Sequence, residues 1–284
     1  MGQLLKTAFN AWLDDYAPSM GAALAFYTVF SIAPLLLVVI SVAGLLFGEA
    51  AARGEIMDQL AQLMGEDSAR TVGALLDSLN RPREGMVGTI VGVTVMLVGA
   101  TTVFAELQDA MDRIWRAPAP PPGGGVWRFL RTRLLSMGMV LGIGFLLMVS
   151  LVLSAASAAL GKWSTPWLSG VALVADGVNF GLSFSFVAAV CAMIYKWMPR
   201  VPVAWRDVWV GAVITALLFT LGKTLIGIYI GRSGVASAFG AAASLVVLLL
   251  WVYYSAQVFL LGAELTSAYA RQRGSLRDKA AAPT

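Results

Sequence analysis

Residues 22–47 read AALAFYTVFSIAPLLLVVISVAGLLF, twenty-six residues without one Asp, Glu, Lys or Arg. About 20 helical residues cross a hydrocarbon core roughly 30 Å thick, so this stretch is long enough to span a bilayer. Its apolar residues are continuous rather than alternating, which is the pattern of a helix. In lipid only helices and closed barrels satisfy their backbone polar groups. Five further runs of the same kind lie near residues 86–105, 134–160, 171–195, 208–230 and 238–263. The sequence therefore predicts an all-α polytopic membrane protein with six transmembrane helices.

Composition agrees. The chain is 58% hydrophobic and 13% charged, with a mean hydropathy of +0.78. Soluble domains carry about 25% charged residues, so too little polar sequence remains to cover six buried core helices. The one cysteine, Cys191, sits inside the fourth run, and no disulfide framework is expected. The chain has no histidine, which removes the commonest metal ligand and the commonest general base. No metal, cofactor or catalytic residue is expected, and no phosphate-binding loop is present for ATP.

Residues 3–16, QLLKTAFNAWLDDY, carry Leu4, Leu5, Ala8, Phe9, Trp12, Leu13 and Tyr16 at helical spacing. Asp14 and Asp15 stand where a cleavable signal would need its apolar segment. This reads as an interfacial amphipathic helix with Trp12 and Tyr16 at headgroup level, separated from the first span by Pro18. Lys and Arg then set the orientation. Thirteen lie on the amino-terminal segment, the even loops and the carboxy-terminal tail, against six on the odd loops. The positive-inside rule puts both termini in the cytoplasm and the first loop outside. The net charge of +4 reads as topology rather than nucleic-acid binding, and the basic face suits anionic lipid headgroups as partners.

One membrane domain is expected over residues 1–270, followed by a flexible basic cytoplasmic tail at 271–284. The first outer loop, 49–85, holds two amphipathic stretches divided by Gly65. They predict a helical hairpin that serves as a lid or as a connector. APAPPPGGG at 117–125 reads as a flexible hinge. Gly88/Gly92, Gly138/Gly142, Gly177/Gly181 and Gly227/Gly231 are spaced for close helix packing.

Polar residues inside the spans are the functional candidates, since an unpaired charge in lipid is costly. Asp176 and Lys223 fall at a similar depth in runs of opposite direction and can pair. Asn179 shares the face of Asp176. Gln257 lies seven residues before Glu264 on one stripe, with Tyr253 one turn further out. These five form a candidate transport path: Asp176, Asn179, Lys223, Tyr253 and Gln257. Pro34 is expected to kink the first span, with Ser31 and Thr28 near the freed carbonyl of Phe30. Glu106 and Glu264 close the second and sixth runs on the cytoplasmic side.

Four segments, in order along nearly the whole chain, resemble the YihY/BrkB family of bacterial inner-membrane proteins, once labelled ribonuclease BN. AALAFYTVFSIAPLLLVV at 22–39 is similar to that family's opening motif. FAELQDAMDRIWR at 104–116 is similar to its Leu-Gln segment, with Asp112 where the family carries Asn. YKWMPRVPVAWRDVWVGAVI at 195–214 and FGAAASLVVLLLWVYYSAQVFLLGAEL at 239–265 match its Tyr-x-x-x-Pro segment and its last span. The resemblance implies a multi-pass protein of the bacterial inner membrane. The old nuclease label finds no support in these residues, so no enzyme activity is expected. The sequence favours a transporter or flippase of a lipid or small polar solute. The alternative is a non-transporting envelope scaffold, and a lipid-acting enzyme using Glu106 and Glu264 is the weakest reading. A homo-oligomer is compatible with the sequence.

Overall fold

The structure, a computed structural model, describes residues 2–79, 102–118, 171–232 and 243–277, with helical positions 138, 142 and 146 between them. Eight helices and no strand occur among these residues. They are α1 (Gly2–Asp14), α2 (Ala17–Phe47), α3 (Glu49–Met64), α4 (Glu66–Leu79), α5 (102–114), α6 (Val171–Trp197), α7 (Trp205–Arg232) and α8 (Ala243–Gln272). Four stretches are long and apolar enough to cross a membrane: Ala17–Leu45, Phe180–Trp197, Trp205–Tyr229 and Ala243–Gln272. They correspond to the first, fourth, fifth and sixth apolar runs. Most of the second run, nearly all of the third and most of the 117–125 hinge lie outside the described residues.

A corner divides α1 from α2. Tyr16 adopts φ 57°, a left-handed conformation uncommon outside glycine, and Pro18 follows in the first turn of α2. Proline is tolerated there because the first-turn N–H groups have no intrahelical acceptor. The residues of α2 that face the core include Leu24, Val29, Leu36 and Ile40. The helix runs unbroken through Pro34, which is buried, as is Ser31.

Gly48 and Gly65 make the two turns that follow, at φ 86° and 84°. A Cβ at either would meet no neighbour, so glycine is required by backbone conformation rather than by space. Acidic residues open α3 (Glu49) and α4 (Glu66, Asp67), which complements the helix dipoles. Arg53 pairs with Asp77 across the two helices. Ile56, Val72 and Leu76 reach back into the same core as α2, and α4 also packs on α8.

The α7–α8 interface rests on two reciprocal notches. Thr266 of α8 occupies the space a Cβ at Gly211 would need, and Thr215 of α7 occupies the space at Gly262. Each threonine also donates to the carbonyl four residues earlier, at Gly262 and Gly211 respectively. Tyr195 of α6 enters the same layer fully buried. Its hydroxyl donates to Phe259 O at 2.8 Å and lies 3.0 Å from Thr215 Oγ1. Three helices thus share one small polar layer. Of the glycine pairs spaced for packing in the sequence, Gly138, Gly177, Gly181 and Gly227 face nothing within 4 Å among the described residues, and Gly142 faces Met193. The close approaches come instead at Gly21, Gly211, Gly222 and Gly262, against Gln257, Thr266, Tyr254 and Thr215.

Helix α1 is docked, not free. Leu4 and Ala8 are buried against Leu265 and Ala268 of α8, and Gln272 Nε2 donates to Thr7 Oγ1 at 3.3 Å. The neighbouring face, about 100° round the helix, leaves Leu5, Phe9 and Leu13 exposed, as is Tyr16 at the corner. The end of α8 is held a second way. Ser275 donates from both its backbone N–H (2.9 Å) and its hydroxyl (2.7 Å) to the buried carboxylate of Asp207, in the first turn of α7. One end of the bundle, here called the terminal end, therefore gathers α1, the start of α2, the start of α7 and the end of α8.

Candidate functional site

The terminal end gathers four charged groups around the α1–α2 corner, the two acids buried and the two arginines partly exposed. Asp15 is only 4% exposed and Glu264 only 3%. Periodicity explains why Asp15 points inward: Leu4, Ala8, Trp12 and Asp15 fall on one stripe of α1, the stripe that faces α8. The negative charge of Asp15 bears electrostatically on Glu264. Arg116, at the end of α5, closes the site from the side. Its Nη1 is 2.9 Å from Asp15 Oδ1, while its side chain stays 55% exposed. Arg116 itself has φ 52°, a second left-handed corner. Arg271, two turns beyond Glu264 on α8, acts electrostatically on Glu264 and donates to Ile114 O at 3.4 Å. Ser267 donates to the same carbonyl at 3.2 Å. The orphan carbonyl near the end of α5 is thereby satisfied by α8.

Asp15 Oδ2 and Glu264 Oε1 are buried and receive no hydrogen bond from a donor among the described residues. The indole nitrogens of Trp12 and Trp115 are likewise buried without an acceptor. Buried polar atoms are nearly always paired, so a concentration of exceptions at one corner marks a site rather than a packing detail.

Beside this quartet a groove of about 270 Å³ opens between the start of α2 and one face of α5. Glu106, Asp109, Ala110 and Arg113 line it from α5, and Tyr16, Ser19, Met20 and Ala23 line it from the other wall. Burial, and then the neighbouring Asp109, hold the Glu106 carboxyl above the usual carboxylate range. The groove offers carboxylates, one guanidinium and an apolar floor. Such a surface suits a small group of mixed charge. On the other side of α5, Asp112 accepts from the Arg200 backbone at 2.9 Å and pairs with its Nε at 3.1 Å. That contact anchors the α6–α7 connection to α5.

The residues singled out in the sequence divide between places. Glu264 lies in the quartet and Glu106 in the groove. Gln257 faces the first turn of α2, its Nε2 within 3.4 and 3.5 Å of the Ala17 and Pro18 carbonyls, with its Oε1 buried and unpaired. Tyr253 packs half-buried against the main core. Lys223 is half-buried in α7, sixteen residues beyond Asp207 and so about 24 Å along the helix from the terminal end. It does not join the quartet. The side chains of Asp176 and Asn179 lie outside the described residues, and so does the Asp176–Lys223 pairing. Sequence reasoning missed Asp15, Arg116 and Arg271 as site residues. The inward stripe of α1 ending in an acid was the available signal for Asp15.

The helices and the buried charges define a polytopic α-helical membrane protein with a polar site at one end of its bundle. Its sequence matches the pattern of the family described as Virulence factor BrkB over residues 8–284. The chain belongs to that family. It is 29% identical over 275 residues to a UPF0761 membrane protein of Verminephrobacter eiseniae, covering 93% of this chain and 61% of the relative. It is 29% identical over 259 residues to one of Pseudomonas aeruginosa (90% and 60%), and 30% over 281 residues to one of Alcanivorax borkumensis (93% and 59%). The chain thus spans about three fifths of the length of these relatives. No solved structure matches it.

Proposed function

We propose that this chain is a transporter or flippase that moves a lipid or a small polar solute across the bacterial inner membrane. The observation that carries the reading is the mixed-charge groove between α2 and α5, which opens beside a cluster of two buried acids and two partly exposed arginines. Its volume of about 270 Å³ is near the lower end of small-ligand sites, roughly 300–1,000 Å³. That size fits a headgroup or a small solute and leaves acyl chains outside. Carboxylates at Glu106 and Asp109 suit a cationic group, and Arg113 suits a phosphate or carboxylate one turn away. The excess of Lys and Arg at the terminal end makes it cytoplasmic, and the α3–α4 hairpin then lies toward the outer face. In that orientation the exposed stripe Leu5, Phe9, Leu13 and Tyr16 rests in the inner leaflet's headgroup region.

The experiment is reconstitution of the whole protein in liposomes carrying a headgroup-labelled phospholipid, with an impermeant quencher reporting flip, and a parallel efflux assay for small zwitterionic solutes. Glu106→Gln with Arg113→Gln should slow flip or efflux at least tenfold while thermal unfolding is unchanged. If wild-type protein accelerates neither process, the scaffold reading replaces transport.

A further inference from the structure

We propose that the α6–α7 corner is a headgroup-binding surface for anionic phospholipid, with three tryptophans seated in the interfacial layer of the membrane and free arginines beside them to take the phosphates. Trp197 ends α6, while Trp205 and Trp209 open α7. Their relative exposures are 51%, 45% and 48%. The rings of Trp197 and Trp205 meet edge to face, their centres 5.8 Å apart. Trp205 and Trp209 are four residues apart and so are neighbours on one helical face. Three half-exposed indoles thus form one patch. Large exposed apolar patches mark interaction surfaces. Tryptophan concentrates where a membrane meets water, because its ring is apolar and its N–H is not.

The residues that continue from the patch decide between lipid and a protein partner. Val213, Leu217 and Leu221 follow Trp209 at four-residue intervals, and all are exposed. Side chains so spaced form an oblique ridge along a helix. Tyr229, also exposed, lies twenty residues beyond Trp209. At 1.5 Å per residue that is about 30 Å, the thickness of a hydrocarbon core. An apolar ridge closed by aromatic rings at that interval is what a bilayer requires of a lipid-facing helix. A water-soluble partner would cover the tryptophans and leave the ridge bare.

Charge gives the surface its selectivity. Arg206 is three residues before Trp209, a neighbouring position on the helix. The carboxylate of Asp207 next to it is buried and taken by Ser275. That contact also brings the end of α8 to the corner, with Arg273 and Arg277 on either side of Ser275. Arg206, Arg273 and Arg277 are exposed, and none of them forms an ion pair among the described residues. The other cations of the corner are engaged. Lys196 donates to Val203 O, and its ammonium lies 5.6 Å from the centre of the Trp205 ring, a cation–π contact that steadies the indole. Arg200 pairs with Asp112. Three unpaired guanidinium groups beside interfacial tryptophans match a phosphate headgroup of net negative charge. A zwitterionic headgroup would set its own ammonium against them. Binding of this kind holds whether or not the protein moves a cargo.

The test uses the full chain. Native mass spectrometry of the protein in detergent compares bound phosphatidylglycerol with phosphatidylcholine of the same acyl chains. Phosphatidylglycerol should bind at least tenfold more tightly, and R206Q should cut that preference about fivefold. R206Q/R273Q/R277Q should abolish it while thermal unfolding stays unchanged, since none of the three arginines forms an ion pair among the described residues. Nanodiscs of lipid brominated high on its acyl chains supply the second measurement. The difference in emission between wild type and each of W197F, W205F and W209F isolates one indole of the patch, and each should be strongly quenched. Equal binding of the two lipids by wild type, or a preference that survives the triple arginine variant, overturns the proposal. So does unquenched emission from the three tryptophans, which would make the patch a docking surface for a protein.

Discussion

Gly262→Ala is the sharpest test of how the bundle is held. A Cβ at residue 262 would overlap Thr215 Oγ1 and would sit 2.6 Å from the Tyr195 hydroxyl and 2.9 Å from Thr215 Cβ. No rotamer of a methyl group avoids this, so α7 or Tyr195 must shift. Overpacking of a tight core costs about 1–3 kcal/mol. Displacing Tyr195 also weakens its bonds to Phe259 O and Thr215, each worth about 0.6 kcal/mol and at most about 1.7 in a membrane interior. Against these stands the gain in helix propensity from Gly to Ala, about 1 kcal/mol. The net expectation is a loss of about 2 kcal/mol. Gly177→Ala is the matched control, since its Cβ meets nothing within 4 Å; there only the propensity gain remains, and the variant should be slightly more stable than wild type. Equilibrium unfolding in mixed detergent micelles measures both. Adding Thr215→Ala to Gly262→Ala should recover about 1 kcal/mol, the part of the clash carried by Oγ1, in a double-mutant cycle. If Gly262→Ala and Gly177→Ala shift stability in the same direction, the reciprocal-notch account of α7 and α8 is wrong.

Three further outcomes are expected. Asp112→Ala removes both contacts to Arg200 and should lower stability by about 1–3 kcal/mol, with Arg200→Ala adding little on top; additive losses would mean that the two residues act separately. Phe9→Asp with Leu13→Asp leaves the α8-facing stripe of α1 intact and should reduce membrane-inserted protein in fractionated cells, whereas normal insertion would count against contact between that face and lipid. Cysteines introduced at Glu66 and Arg277 should separate by side in intact cells, with an impermeant maleimide reaching position 66 only; labelling at 277 alone would invert the proposed orientation.

The spans were legible because long apolar runs leave a helix few alternatives in lipid. The described helices extend the runs modestly: 22–47 becomes Ala17–Phe47, and 208–230 becomes Trp205–Arg232. The break before α2 was equally plain from Pro18. The facing of each helix was not. A segment such as 22–47 is apolar on all sides, so periodicity gives no direction, and the glycines that pack closely differ from those whose spacing suggested it. The site was half legible. Glu106, Gln257 and Glu264 stood out as polar groups in apolar surroundings, and all three fall near the α1–α2 corner. Asp15 served in the sequence only as an argument against a cleavable signal, because its ion-pair partner Arg116 is 101 positions away. Local pattern carries no information about such a pairing. Docking of α1 was obscured for a related reason: its two apolar stripes are alike in composition, yet one meets α8 and the other stays uncovered.

The long separation between α1 and α8 has a consequence for biogenesis. Helix α1 leaves the ribosome early, but the surface that buries Leu4 and Ala8 belongs to α8. Synthesis at about 5–20 residues per second leaves roughly 12–50 s between the two. For that interval Leu4 and Ala8 wait without the surface that covers them. Leu5, Phe9, Leu13 and Tyr16 stay exposed even after α8 has docked. Arrival of α8 is then the step that covers Leu4 and Ala8 and docks the first helix.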